Sequence, residues 1–275
     1  MGASILLVIY VNRVKVVFCL VLFMISIVYV LDIFKRVDLL DIIFMKNTST
    51  LLEMTLNNKL NDNKNVSEEA SDKDSDNNTD NPTIYFYNTH QTEGYKETNY
   101  GITPSVVTVS QMLRDNLEDM GKSSFVETLS IKKGLDKNNY GYEMSYEISL
   151  GYLKRRIREN DSLKYFFDIH RDSVVGDLSR CVIDGKKYAK VMFLVGESHS
   201  NYKANLRNVK KMESFLNKNY SGILRNTYHQ PRWAYNQEYS EEMFLIEVGG
   251  PDNTLEEIYN TSVALSEAID YYTGG

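Results

Sequence analysis

The chain has 275 residues and a formal net charge of −6, so it is long enough for one sizeable domain with additional segments. The acidic balance argues against a nucleic-acid-binding protein, because a phosphate backbone attracts basic surfaces. The two cysteines, Cys19 and Cys181, have no Cys-x-x-Cys spacing, which excludes a thiolate zinc site and a dithiol redox site. Any bound metal would therefore need His, Asp or Glu ligands, and the chain has 4 histidines.

The N-terminal part of the chain contains an apolar segment, residues 16–31, that carries no charged side chain. A helix of this length would be about 24 Å long, and flanking apolar residues can extend it toward the roughly 30 Å hydrocarbon core of a bilayer. A cleaved signal peptide is the alternative, but small residues suited to a cleavage site are missing after Leu31. We therefore expect residues 1–44 to form an uncleaved membrane anchor. Because the segment before the anchor is too short to be a domain, we expect the rest of the chain to lie outside the cytoplasmic membrane.

The composition changes over residues 45–82, where Asn, Asp, Lys, Ser and Thr predominate. Such a segment cannot bury enough apolar surface to offset the conformational entropy lost on ordering. It is therefore predicted to be a flexible polar tether between the anchor and a domain at residues 83–275.

Strand and helix patterns alternate through residues 83–275. Short β-branched and aromatic runs predict strands at residues 83–87, 124–129, 165–169, 191–195 and 243–248. Apolar residues at three- and four-residue spacing predict helices at residues 106–120, 146–158, 205–217 and 254–271. This order predicts an α/β fold with a mixed, mostly parallel central sheet flanked by helices on both faces. In such sheets, sites form at the carboxyl ends of the strands.

Polar residues follow three of the predicted strands where each strand ends. If these strands are parallel neighbours, one sheet edge would gather His90, His170 and several carboxylates. A hydrolytic zinc site takes about three His, Glu or Asp ligands and leaves one position open, so His90, Glu93 and His170 could be ligands and Glu247 a base. On spacing alone other roles stay open: a histidine at a strand end is more often a structural hydrogen-bonding group, and Glu247 could pair with Arg171. The three polar segments are residues 88–93, 168–172 and 247–250.

Several ordered segments between residue 84 and the C-terminus carry a resemblance to a known family. They are residues 87–95 (Tyr-Asn-Thr-His-Gln-Thr-Glu-Gly-Tyr), 165–173 (Tyr-Phe-Phe-Asp-Ile-His-Arg-Asp-Ser), 193–196 with Asn201 and Asn205, 235–237 (Tyr-Asn-Gln), 245–250 (Leu-Ile-Glu-Val-Gly-Gly) and 253–257. Together they closely resemble the stage II sporulation protein P family of zinc-dependent N-acetylmuramoyl-L-alanine amidases. Two departures are Asn88, where the family often has a second histidine, and Gly94, where it often has serine.

The resemblance implies an amidase-like fold, a Zn²⁺ cofactor and hydrolysis of peptidoglycan. The bond cut would be the amide between the lactyl group of N-acetylmuramic acid and L-alanine of the stem peptide, during engulfment in sporulation. The implied partner is a glycan-cleaving protein resembling stage II sporulation protein D. Two alternatives stay open: a zinc endopeptidase acting on stem peptides, and an inactive wall-binding module.

The resemblance also assigns roles at the proposed metal site. His90, Glu93 and His170 would hold the zinc, with Glu127 as an alternative to Glu93. Glu247 would take a proton from the attacking water and pass it to the leaving nitrogen.

Residues around the metal ligands receive further predictions. Arg171 would contact a stem-peptide carboxylate or the oxyanion, with a structural ion pair as the alternative. Asp168 and Asp172 are candidate acceptors for the second N–H of a metal-bound imidazole, and Asp172 could equally be a turn residue. Asn236 and Gln237 are predicted to line the substrate groove.

The remaining histidines, His199 and His229, lie outside these motifs. They are predicted to be surface or loop residues.

Overall fold

The structure is a computed structural model that describes residues 81–99 and 101–274, all within one compact unit, Asp72–Gly275. The predicted anchor at residues 1–44 and nearly all of the predicted tether at 45–82 lie outside the described residues. Within these residues, no helix combines the length and apolarity needed to cross a membrane.

Strands and helices alternate along the described chain. The strands are β1 (Ile84–Tyr87), β2 (Ser124–Val126), β3 (Tyr165–His170), β4 (Arg180–Ile183), β5 (Lys186–Ala189), β6 (Val191–Gly196), β7 (Tyr228–Gln230) and β8 (Met243–Val248). The helices are α1 (Val106–Asp119), α2 (Ile131–Asn138), α3 (Ser145–Glu159), α4 (Tyr202–Asn219) and α5 (Leu255–Tyr272), with short 3₁₀ turns at Tyr142–Met144, Gly176–Leu178 and Gln237–Tyr239.

Six strands form one sheet in the order β2-β1-β3-β8-β6-β7. Strands β2, β1, β3 and β8 are parallel, whereas β6 is antiparallel to β8 and parallel to β7. Strands β4 and β5 form a separate antiparallel hairpin. The predicted mixed, mostly parallel sheet is therefore confirmed.

Helices cover both faces of the sheet, as predicted. The main core lies on one face, where α1, α4 and α5 pack against inward residues such as Phe86, Phe167 and Phe244. A second core on the other face packs α3 against Tyr85 and Phe166. The apolar side chains thus alternate between the two faces along each central strand, as the pleat requires.

This alternation decides where the polar residues of β3 and β8 point. Phe166 and Met243 face α3, so Asp168 and His170 on β3, and Glu247 on β8, project from the same face of the sheet as α3. These groups therefore face away from the main core. They lie beside the first turn of α3.

The long predicted elements are found within a few residues of their predicted ends, and three shorter features were missed. These are α2, the β4–β5 hairpin and β7. Helix α2 has 8 residues and includes three lysines and Gly134, so its apolar periodicity is weak. A Cβ at Gly134 would lie 2.5 Å from Ile148 Cγ2, so glycine permits the close contact of α2 with α3.

Candidate active site

Two parallel strands and one loop build the site at the carboxyl edge of the sheet. His170, the last residue of β3, is the register partner of Glu247 on β8. The loop after β1 turns tightly, with Glu93 N donating to His90 O at 3.0 Å. This turn brings both side chains back over the end of β3.

The side chains of His90, Glu93 and His170 lie together, with one potential ligand atom from each within 4.8 Å of the others. His90 Nδ1 is 3.4 Å from Glu93 Oε1, and His170 Nδ1 is 3.5 Å from Glu93 Oε2. The side chain of His170 is 3 % exposed, whereas those of His90 and Glu93 are 22 % and 19 % exposed. The cluster is thus anchored in the protein on one side and open to solvent on the other.

Asp168 lies beside His170, at the Nε2 side of its ring. Its Oδ2 lies 3.0 Å from His170 Nε2, so Nδ1 is the imidazole atom left facing the cluster. The same carboxylate accepts hydrogen bonds from the Thr89 backbone N–H at 3.0 Å and the Thr89 hydroxyl at 2.7 Å. Asp168 therefore occupies the position expected of the acceptor behind a metal-bound imidazole.

The pKa values of the cluster reflect opposite charges held close together. Burial would raise the pKa of Glu93, but hydrogen bonds with His170, His90 and the Arg171 backbone N–H lower it to about 2. Burial would lower the pKa of His170, but Asp168, Glu93 and Glu247 raise it well above 6.5. The carboxylates thus create a negative site that favours a bound cation.

Glu247 is a largely buried carboxylate beside this cluster. Burial raises its pKa to about 7, with Glu93 and nearby aspartates adding to the increase and His170 opposing it. Its Oε2 is buried and has no hydrogen-bond partner in the part of the chain that the structure describes. A buried carboxylate oxygen left unpaired is costly, which indicates that a ligand of this site is its natural partner.

Aromatic rings line the cluster. Tyr142 stacks on His90 at 5.0 Å between ring centroids, and Tyr146 contacts the edge of the same imidazole at 5.5 Å. Tyr146 also stacks on His170 at 6.3 Å and meets Tyr235 edge to face at 5.5 Å. These rings restrict the imidazoles to one orientation.

Glu127, the alternative third ligand, lies elsewhere. It accepts hydrogen bonds from Tyr85 Oη at 2.8 Å and Arg156 Nε at 3.0 Å, and it is buried in this ion pair. Glu93, and not Glu127, is the carboxylate that the fold brings to both histidines.

Arg171 and Asp172, which follow His170 in the chain, have different hydrogen-bond and ion-pair partners. The Arg171 guanidinium donates to the Asp172 carbonyl at 3.2 Å, its Nε is buried without a hydrogen-bond partner, and no carboxylate of the described residues pairs with it. Asp172 forms a close ion pair with Arg225 instead of accepting from an imidazole. Among the described residues the guanidinium therefore has no carboxylate to neutralise it, whereas Asp172 holds the loop after β3 to Arg225.

Asn236 and Gln237, predicted to line the groove, are buried structural residues. Gln237 accepts from Gly196 N and donates to Leu194 O, both at 2.8 Å, which fixes the end of β6. Asn236 donates to Tyr146 O at 3.2 Å and Ser149 Oγ at 3.1 Å. Both side chains are thus hydrogen-bonded within the protein, and their contact with a substrate stays a prediction.

Of the other two histidines, His229 lies in β7 and His199 in the loop before α4. His229 is exposed and lies 2.8 Å from Glu197 Oε1. Burial lowers the pKa of His199, which is half-buried in the loop before α4. Neither belongs to the metal-ligand cluster found within residues 81–99 and 101–274.

The site residues that the sequence did not reveal are Tyr146, Thr89 and Ser149. The Thr89 hydroxyl lies 2.9 Å from Ser149 Oγ and joins the first turn of α3 to Asp168. Thr89 and Ser149 are 60 residues apart, so no local spacing could have indicated their contact.

The donor set fits a zinc ion. Two imidazoles and one carboxylate match the ligand types of hydrolytic zinc sites, and the cluster is open to solvent on one side. An acceptor behind one imidazole and an unpaired carboxylate beside the ligands complete the arrangement.

Structural comparison finds similar chains among solved amidases. The CwlD amidase from Clostridioides difficile, solved in complex with the GerS lipoprotein, is 14% identical with a TM-score of 0.46, covering 70% of this chain and 98% of that one. The N-acetylmuramoyl-L-alanine amidase AmiC2 of Nostoc punctiforme is 13% identical with a TM-score of 0.43, over 70% and 98% of the two chains.

Sequence comparison identifies the family. The family model of stage II sporulation protein P matches residues 40–270. The stage II sporulation protein P of Bacillus subtilis (strain 168) is 30% identical over 199 residues, which cover 68% of this chain and 50% of the relative. The chain thus spans about half the length of that curated relative. The resemblance found in the sequence is confirmed, and the chain belongs to the stage II sporulation protein P family.

Proposed function

We propose that this chain is a zinc-dependent hydrolase of peptidoglycan that cleaves the amide between N-acetylmuramic acid and L-alanine of the stem peptide. The observation that carries the proposal is the convergence of His90, Glu93 and His170 beside the unpaired carboxylate of Glu247. Membership of a sporulation family supports a role in remodelling the cell wall during engulfment.

The proposed zinc ligands are His90, Glu93 and His170, with Asp168 holding the His170 ring. When bound, zinc would polarise the scissile carbonyl and make water more acidic. Because Asp168 is itself held by two hydrogen bonds from Thr89, the ring of His170 is positioned before any ligand arrives.

Glu247 is the proposed general base and then general acid. Its carboxylate takes a proton from water as the water oxygen bonds to the amide carbon. It returns that proton to the nitrogen as the carbon–nitrogen bond breaks. The products are a lactyl carboxylate on the sugar and a free amino group on L-alanine, so one water is consumed for each bond cut.

Arg171 is the proposed contact for a carboxylate of the stem peptide. Its guanidinium lacks a carboxylate partner among the described residues, and its backbone N–H donates to Glu93 of the ligand cluster at 2.9 Å. A guanidinium can bind a carboxylate through two parallel hydrogen bonds, which would orient the peptide as well as attract it.

The cellular setting is also a proposal. The apolar segment at residues 16–31 supports a single N-terminal membrane anchor with the hydrolase outside the cytoplasmic membrane. A glycan-cleaving partner resembling stage II sporulation protein D would act on the same wall, because removal of stem peptides leaves bare glycan strands.

Product analysis tests the proposal. The full chain, purified with zinc, is incubated with peptidoglycan, and the soluble products are identified by mass spectrometry. Release of intact stem peptides with free L-alanine amino groups is the expected result, and His170→Ala should release none. Products cut only within the stem peptide would identify an endopeptidase, and the absence of products with and without the partner would identify a wall-binding protein.

A further inference from the structure

One aromatic residue of the site has a polar group with no partner. Tyr146 lies in the first turn of α3, and its ring contacts both imidazoles, at 5.5 Å from His90 and 6.3 Å from His170. The hydroxyl forms no hydrogen bond with any described residue, and it is not fully buried. It is therefore available to an acceptor from outside the protein.

Three other tyrosines with restricted exposure donate their hydroxyl to an acceptor within the protein. Tyr95 Oη donates to Val248 O at 2.9 Å, Tyr85 Oη to Glu127 at 2.8 Å, and Tyr152 Oη to Ser130 O at 3.0 Å. Packed tyrosines normally find such an acceptor. Tyr146 has no such acceptor among the described residues although its ring contacts both imidazoles, which is consistent with an acceptor that arrives with the substrate.

The backbone of Tyr146 is fixed relative to His170. Its carbonyl accepts hydrogen bonds from Asn236 Nδ2 at 3.2 Å and Ser149 Oγ at 3.0 Å. Ser149 Oγ lies 2.9 Å from the Thr89 hydroxyl, which in turn contacts Asp168. A donor held in this way needs no reorganisation when charge develops nearby.

We propose that Tyr146 is a further catalytic residue, whose phenol donates a hydrogen bond to the substrate carbonyl oxygen as that oxygen gains negative charge. This inference rests on the proposed amide hydrolysis. No proton is transferred by Tyr146: the proton of the attacking water goes to Glu247, and the phenol stabilises the oxygen by hydrogen bonding alone. Loss of one such donor typically lowers kcat by about 10²-fold to 10³-fold.

The test compares two substitutions that each remove one hydroxyl from α3. Tyr146→Phe keeps the ring that packs on the imidazoles, and Tyr152→Phe is the matched control because its hydroxyl bonds only Ser130 O. Full-length chains are assayed on a soluble N-acetylmuramoyl peptide, with zinc content and thermal unfolding measured in parallel. Binding of a tetrahedral phosphinate analogue of the scissile amide is measured as well.

We expect Tyr146→Phe to keep one zinc per chain and a KM within about threefold, while kcat falls by about 10²-fold. Affinity for the phosphinate should fall by the same factor, and Tyr152→Phe should keep the wild-type kcat. A kcat for Tyr146→Phe within twofold of wild type would overturn the inference alone. So would a loss of activity explained by lost zinc or by unfolding, since that would assign Tyr146 a structural role. A wild-type chain with no amidase activity would overturn the proposed function and this inference together.

Discussion

The carboxylates of this chain differ in whether they have a partner within the protein, and this difference indicates which of them can act as a base. Glu127 has Arg156 and Tyr85, and Asp172 has Arg225, so both are committed. Glu247 has an oxygen with no partner among the described residues, although it is next to His170 in the sheet register. The proposed base is thus the carboxylate that folding leaves free to accept a proton.

Replacing Glu247 with Gln should separate catalysis from metal binding. The amide has nearly the same shape but cannot take a proton, so activity should fall by about 10²-fold to 10⁴-fold. Zinc content should remain that of the wild type, because His90, Glu93 and His170 are intact. Elemental analysis and the peptidoglycan assay measure the two quantities, and a zinc-free Glu247→Gln chain would reassign Glu247 as a ligand.

The identity of the carboxylate ligand can be tested by a matched pair of substitutions. Glu93→Ala should lose zinc and activity, and it should also lower the stability of the metal-free chain, because Glu93 pairs with His170 and accepts from the Arg171 N–H. Glu127→Ala should retain zinc, yet it should lose about 1–3 kcal/mol of stability because Tyr85 and Arg156 lose a buried acceptor, while Arg156 keeps Glu159. Zinc content and the free energy of unfolding are measured for both. Loss of zinc in Glu127→Ala under conditions where it is folded would favour Glu127 as ligand.

At the scale of elements, the turn after β8 holds the loop that follows β3. Gly249 O accepts from Asp172 N at 3.1 Å, and Gly250 N donates to Asn253 Oδ1 at 2.7 Å. A Cβ at Gly250 would overlap the Val174 carbonyl oxygen, which belongs to the backbone and cannot rotate away. The two loops therefore pack closely because residue 250 has no side chain.

Gly250→Ala should therefore destabilise the fold by about 1–3 kcal/mol or more, through overpacking of backbone against Cβ. Thermal unfolding measures this as a fall of several degrees. Gly151→Ala is the control, because Gly151 lies in α3 with nothing within 4 Å of an added Cβ. There alanine should raise stability by about 0.5–1 kcal/mol. A Gly250→Ala chain as stable as wild type would show that the two loops can separate without cost.

The sequence predicts elements better than it predicts the partners of buried polar groups. Strands β1, β3 and β8 are dense β-branched and aromatic runs, and polar residues directly follow or end them, so the ligand cluster could be located from their ends. The contact of Asn236 with Tyr146 joins residues 90 positions apart. Short-range spacing carries no information about such a contact, so the sequence did not indicate that Tyr146 lies at the site.

The described fold places the proposed catalytic groups on the side of the sheet with the smaller apolar core. The main core lies between α1, α4, α5 and one sheet face, whereas Asp168, His170 and Glu247 project from the other face beside α3. The buried carboxylates are therefore kept apart from the largest apolar cluster, where an unpaired charge would be most costly.

The two cores share one sheet, so residues 81–275 should fold as a unit without residues 1–80. Urea unfolding of this fragment, followed by far-UV and near-UV circular dichroism, should give coincident single transitions. Separate transitions for the two signals, or a fragment that does not fold, would mean that the preceding residues contribute to the core.

We propose that a zinc ion held by His90, Glu93 and His170 drives amide hydrolysis in peptidoglycan. Metal removal from the full chain, followed by stepwise addition of zinc, tests this when the release of L-alanine amino groups from peptidoglycan is recorded. We expect no release without metal and a rise in rate that saturates at one zinc per chain. Undiminished release by the metal-free chain, or no release at any zinc content, would contradict it.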